Sequence, residues 1–156
     1  MPTVKELIQG AVAGLLIEKP GAKRTLPEWI SQLENDGKTI EARVNRAKNE
    51  QKAQIVLRHI TGIERWGQQR LQVFLGKAFV RDEFDGYQPA TNLSTQQQLA
   101  EFNKTRAETI AIVRKIAAAN LNSTNTVEHN QIGQITLRGW LRYLDMHANL
   151  ESKKIR

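Results

Sequence analysis

The sequence contains no cysteine. That removes disulfides, thiolate zinc sites, iron–sulfur clusters and cysteine nucleophiles together. A metal ion could be held only by His, Asp, Glu or backbone oxygen, and the chain has 3 histidines. The same absence suits a reducing compartment, so a cytoplasmic location is the expectation. Long apolar runs are missing too. The longest, Ala11 to Ile17, is far short of the roughly 18 residues that cross a bilayer. Glu18-Lys19-Pro20 closes that run where a secretory leader would finish in small residues, so neither a membrane span nor a targeting signal is expected. Several enzyme signatures are lacking: there is no P-loop, no Gly-rich dinucleotide fingerprint, no Gly-x-Ser-x-Gly elbow and no paired Glu-x-x-His. Asp82-Glu83-Phe84-Asp85-Gly86 lacks the alternating oxygen ligands of a calcium loop. It reads instead as a loop folding Phe84 and Tyr87 onto the end of the fold.

What is present is an ordinary globular chain of 156 residues with 40% hydrophobic and 25% charged side chains and a net charge of +7. A length of this order fits one domain with a real core. The positive excess is spread evenly. Residues 1–76 carry 12 basic and 8 acidic side chains, and residues 77–156 carry 11 and 8. With no block of like charge, specific nucleic-acid binding is not expected, only weak, salt-sensitive association.

Helical periodicity dominates. Val4, Leu7, Ile8, Ala11 and Leu15 recur every three or four residues, which predicts an amphipathic helix over 3–18 that Pro20-Gly21 ends. Thr25 reads as the N-cap of a second helix, with Pro27 in its first turn and Glu28 completing a capping box. Its stripe is Ile30, Leu33, Gly37, Ile40, Val44 and Ala47. Gly37 implies either a closely packed partner helix or a bend. Asn49 can cap a third helix ending near Leu75, with Gly76 as the residue after its C-cap. The long connection 77–93 precedes a helix opened by Ser94 or Thr95. Asn120 through Asn130 reads as polar loop, with only short Thr/Val/Ile pieces near 124–135 able to form strand. A last helix starts at Thr136.

The expected class is all-α: a four-helix bundle over 27–156, preceded by an N-terminal helix and linker over 1–26, a single domain overall. The 77–93 connection is long enough to cross the bundle end and run back, which predicts an up-down-down-up topology with one crossover.

Polar residues interrupt two apolar stripes. His59 is in phase with Val56, Ile63 and Trp66. His147 and Glu151 are four apart, in phase with Trp140, Leu144 and Ile155. Side chains at i and i+4 share a helix face and can converge on one ion. A third ligand from a facing helix would complete a two-histidine, one-carboxylate set with positions left for water or substrate. The same spacing also suits a hydrogen-bonded core histidine and a plain His–Glu ion pair. His129 falls in the polar loop and reads as a cap or surface residue.

Leu57-Arg58-His59-Ile60-Thr61-Gly62-Ile63-Glu64-Arg65-Trp66 resembles the second core helix of the DinB-like (damage-inducible B) four-helix-bundle superfamily. Thr136-Leu137-Arg138-Gly139-Trp140-Leu141, followed by His147, resembles the last helix of that family. The resemblance covers roughly 27–155. It implies a nickel- or zinc-type site with one His from the second core helix and two His at i and i+4 in the last. His59 and His147 fall on the first two positions. Glu151 stands where the third His would be, which favours harder ions such as manganese or ferrous iron. The resemblance also implies homodimers paired through bundle faces and Lewis-acid activation of a low-molecular-weight thiol or water, in a transferase or hydrolase. Trp66, Trp140 and Tyr143 would wall the pocket. The competing expectation is a non-catalytic binding or stress-response protein whose metal site has degenerated. Substrate and catalytic residues beyond the ligands are not specified by either reading.

Overall fold

The structure, a computed structural model, describes residues 1–156. It is mostly helical with one small two-stranded sheet. In chain order the elements are α1 (Val4–Val12), a wide π-helical stretch (Ala13–Glu18), α2 (Lys19–Ala22), α3 (Leu26–Asn45), α4 (Glu50–Val73), a 3-10 turn (Phe84–Tyr87), α5 (Thr95–Ala118), β1 (Thr126–His129), β2 (Gly133–Thr136) and α6 (Leu137–Ser152).

Local chemistry sets most boundaries. Thr25 accepts from the Glu28 N–H at 3.3 Å while the Thr25 N–H donates to Glu28 Oε2 at 2.7 Å, so the expected capping box is present. Asn49 caps α4 and Ser94 caps α5 through side-chain oxygens. The helix pair α3–α4 breaks at 46–49, where the Lys48 and Asn49 N–H groups donate to the Arg156 carbonyl instead of continuing a helix. Gly76 has φ +98°, the left-handed conformation a helix end needs, and Lys77 N–H closes on Gln72 O.

Two expectations are corrected. Pro20-Gly21 does not end the first helix, which runs on to Ala22. The preceding turn is π-helical, and its wider register relieves the missing N–H and ring clash of a proline inside a helix. Residues 126–129 are strand, paired antiparallel with 133–136, within the 124–135 stretch whose short Thr/Val/Ile pieces were read as able to form strand. The Phe84–Tyr87 turn packs along the side of α4, with Phe84 edge-on to His59, and does not cover the bundle end. Gly37 is also informative. It is buried inside an uninterrupted α3, and a Cβ there would meet only Arg106 Cγ at 3.6 Å. A side chain, and not a neighbouring helix backbone, occupies the space.

Helix pairing follows the hydrogen bonds. Gln54 reaches Thr95 and Gln68 reaches Thr109, so α4 and α5 ascend together. Arg138 reaches the carbonyls of Ala22 and Arg24 while Arg43 reaches Asn149 and Ser152, so α3 and α6 do likewise. Glu34–Arg114 and Glu41–Asn103 run α3 against α5.

The apolar core is split in two. One cluster holds Trp29, Leu33, Ile63, Trp66, Val113 and Trp140. The other holds Ile40, Leu57, Ile60, Leu99, Phe102 and Ala148. On α4, α5 and α6 the change of cluster coincides with buried polar residues: Thr61 and Glu64 on α4, Thr105, Arg106 and Thr109 on α5, Asp145 on α6; on α3 it coincides with Gly37. A polar layer therefore crosses the bundle, and His59 and His147 lie close to it in the chain on their two helices. The N-terminal segment joins the first cluster through Ala13 and Ile17, whereas α1 buries nothing.

Candidate metal centre

α4 and α6 face each other with His59 and His147 opposed. Their Nε2 atoms are 3.2 Å apart. Without an ion, one Nε2–H donates to the other nitrogen. Two nitrogens bound at about 2.0–2.1 Å to one tetrahedral ion would lie roughly 3.3–3.4 Å apart, so the observed spacing already suits a shared ion. Glu151, one turn after His147, brings a carboxylate oxygen into the same group. All three ligand atoms fall within 4.8 Å of one another. The three residues are close enough to hold a metal.

The electrostatics fit ligation. Burial, and after it the neighbouring His59, push His147 down to about 4, so its imidazole is neutral at physiological pH. Hydrogen bonding to Lys154 holds Glu151 below the usual carboxylate range. No proton need leave either side chain before it ligates. Two features work the other way. Lys154 Nζ sits 2.8 and 2.9 Å from the two Glu151 oxygens, and His147 Nδ1 is buried without a hydrogen-bond partner, where ligating histidines usually have one.

A cavity of about 450 Å³ opens beside the pair, with His59 and His147 in its wall. Trp66 and Tyr143 line it as expected. Trp140 does not. It is fully buried behind them, with its indole N–H donating to Val127 O at 3.1 Å. Glu151 is not part of the cavity wall either; it is half-buried and paired with the exposed Lys154.

His129, expected as a cap or surface residue, does cap the loop that follows it, but it is 3% exposed and lines this cavity. Its Nδ1 accepts the N–H groups of Gln131 and Ile132, both at 3.2 Å, so the ring proton is assigned to Nε2, which has no partner. Burial, with the nearby Arg70, pushes it down to about 4. The ring packs against Trp66, Trp140 and Tyr143. The sequence signal was available: in Thr126-Val127-Glu128-His129 the strand period of two puts Val127 and His129 on one buried face. Phe84 and Arg81, carried by the long connection, complete the wall and were not anticipated.

Asp145, two residues after Tyr143 and facing Asp36, is buried with Oδ1 unpartnered. Burial, then the Asp36 carboxyl, raises it well above the usual carboxylate range. The folded protein therefore keeps a proton that the unfolded chain releases above about pH 4. Stability from this group falls as pH rises through neutrality. His129 and His147 act oppositely, but only below their ordinary value of 6.5. In metal-free protein the urea midpoint should fall between about pH 7 and pH 8.5, and Asp145→Asn should flatten that fall. A wild-type midpoint that rises over this range would contradict the assignment.

Compared with known proteins, the chain matches no family model, no curated protein and no solved structure.

Proposed function

We propose that this protein is a metal-dependent bundle enzyme of DinB-like type, acting as a transferase or hydrolase. The observation that carries the reading is the convergence of His59, His147 and Glu151, from two helices, beside an aromatic-walled cavity. The helix pairings support an up-down-down-up bundle with the crossover at 77–93, which places α4 and α6 antiparallel so that their histidines meet. No helix is long and apolar enough to cross a membrane.

His59, His147 and Glu151 would hold a divalent ion of the nickel, zinc, manganese or iron series. The carboxylate favours the harder members. Such an ion supplies Lewis-acid activation of a low-molecular-weight thiol or of water. The chain's own residues do the rest. Trp66, Phe84 and Tyr143 exclude bulk water from one side of the histidines. Burial raises Tyr143 to about 12, so its phenol keeps its proton and can donate to a substrate oxygen. His129 presents N–H, not a lone pair, and is a donor instead of a base.

The Lys154–Glu151 pair favours a second reading, a non-catalytic protein with a degenerate site. Metal analysis of untagged protein, followed by titration with zinc, nickel, manganese and ferrous ions, separates the two. One ion per chain is expected, bound more tightly after Lys154→Ala. Absence of uptake of all four ions by both forms would leave the non-catalytic reading.

The same proposal includes a homodimer, for which the exposed apolar face of residues 4–18 offers a pairing surface. Val4, Leu7, Ile8, Leu15 and Leu16 are each 54–73% exposed. Val4, Ile8, Ala11 and Leu15 follow the four-three spacing of a helix–helix seam. A stable pair buries about 1,200 Å² or more in total, a scale that a seam of this length from each copy can supply. The segment 4–18 carries one Lys and two Glu, too little positive charge for an anionic lipid surface. Light scattering at micromolar concentration should give twice the chain mass, and Ile8→Glu with Leu15→Glu should give the monomer. A wild-type monomer would remove the dimer.

A further inference from the structure

His59 has a second side. A groove of about 420 Å³ opens away from the aromatic cavity and shares His59 as a wall. Its lining is different in kind: Gln54, Arg58, Gln88, Thr91 and Gln98, with no carboxylate among the lining residues. Arg58 directly precedes His59 and is half-buried. Its Nε donates to the Pro89 carbonyl at 2.7 Å. Its terminal nitrogens make no hydrogen bond in the protein, and no Asp or Glu lies in ion-pair range. The other two arginines of α4 contrast with it: Arg65 pairs with Glu101 and Arg70 with Asp82. A second unsatisfied group stands in the same wall. Gln98 is fully buried, donates to Ala90 O at 2.8 Å, and leaves its Oε1 without a partner.

An arginine tethered at Nε keeps its two terminal nitrogens as a preset fork, the arrangement that takes carboxylate or phosphate oxygens in pairs. A half-buried guanidinium with no counter-charge is costly to maintain, and the neutral amides around it do not compete for an anion. We infer that Arg58, with the Gln54 and Gln88 amides, forms an anion subsite that holds the carboxylate or phosphate of a small molecule whose other end reaches His59. The substrate is thereby anionic at one end, and an N–H or hydroxyl beside the anionic group satisfies Gln98 Oε1. That the bound anion belongs to a substrate rests on the metal-site reading; anion binding itself does not.

The test uses metal-free full-length protein in chelator, so that loss of the metal reading leaves it intact. Side-chain amide and Arg Nε–H resonances are followed by NMR during titration with inorganic phosphate and, separately, acetate, at constant ionic strength in chloride. Saturable shifts confined to Arg58, Gln54 and Gln88 are expected with at least one anion, and the tighter of the two identifies the class. Arg58→Gln should weaken binding at least tenfold. Arg58→Lys, which keeps the charge and loses the Pro89 tether, should fall between. Arg114→Gln, remote and exposed on α5, should bind as wild type. Circular-dichroism melts of the Arg58 variants are expected to stay cooperative and fall only by the amount that loss of the single Pro89 hydrogen bond accounts for. The inference is overturned if neither anion gives localised shifts, or if Arg58→Gln binds as tightly as wild type.

Discussion

Replacing Arg106 with methionine is expected to remove about 3–5 kcal/mol of folding stability. Arg106 and Glu64 are 5% and 2% exposed in their side chains. They form a two-pronged pair, Nε to Oε1 at 2.7 Å and Nη2 to Oε2 at 2.8 Å, and Nη1 donates to the Leu33 carbonyl at 2.9 Å. One guanidinium thus ties α3, α4 and α5 together over the face of Phe102 and the bare backbone of Gly37. Methionine fills similar volume, so little of the loss is cavity. What remains is a buried Glu64 carboxylate with no partner, next to a layer that already holds Asp36 and Asp145. The pair itself need not be a net gain, because desolvating two charges cancels much of their attraction. Hence the double variant Arg106→Met with Glu64→Leu should recover most of the stability. A typical domain has about 5–15 kcal/mol in total, so the single change should be plain in urea denaturation. A loss below about 1 kcal/mol for Arg106→Met would refute the account.

His147→Ala should abolish metal uptake, with the helical signal and melting temperature little changed. His147 supplies one of two nitrogens that stand 3.2 Å apart, and without it His59 faces Glu151 alone. Two ligands on one exposed edge do not hold a divalent ion against water and chelator. Glu151→His should instead keep or strengthen zinc and nickel binding. It replaces a carboxylate engaged by Lys154 with a neutral nitrogen at the same i+4 position, and histidine suits those two ions. Calorimetric titration of the three proteins with zinc and manganese checks both statements. Equal zinc affinity for wild type and His147→Ala would show that these side chains do not form the site. Loss of zinc affinity in Glu151→His would show that residue 151 cannot reach the ion.

How far the sequence reached can be told element by element. Thr25, Asn49, Ser94 and Thr136 name their helix starts through local chemistry that needs no tertiary partner, and each does cap a helix. Gly76 ends α4 for the same reason. The phase of His59, His147 and Glu151 was legible because a 3.6-residue period fixes which side chains share a face. Phase alone says nothing of which helix lies opposite, so the expectation that they meet came from the resemblance to the DinB-like helices. Pro20 misled because a π-helical turn, held by packing of Ala13 and Ile17, accommodates it. The burial of His129 was missed because a four-residue strand has too little pattern to outweigh the eight polar residues around it in 120–130.

The sequence by itself determined the helices, their caps and the candidate ligands, since these depend on residues within one or two turns. The tertiary structure alone decided the rest. It set α4 against α6, so that two histidines 88 positions apart came within 3.2 Å. It folded the 77–93 connection along α4, so that Phe84 walls one side of His59 and Pro89 tethers Arg58 on the other. It left α1 without a covering surface. Each of these depends on which apolar faces bury together, and that is a property of the whole chain, not of any segment of it.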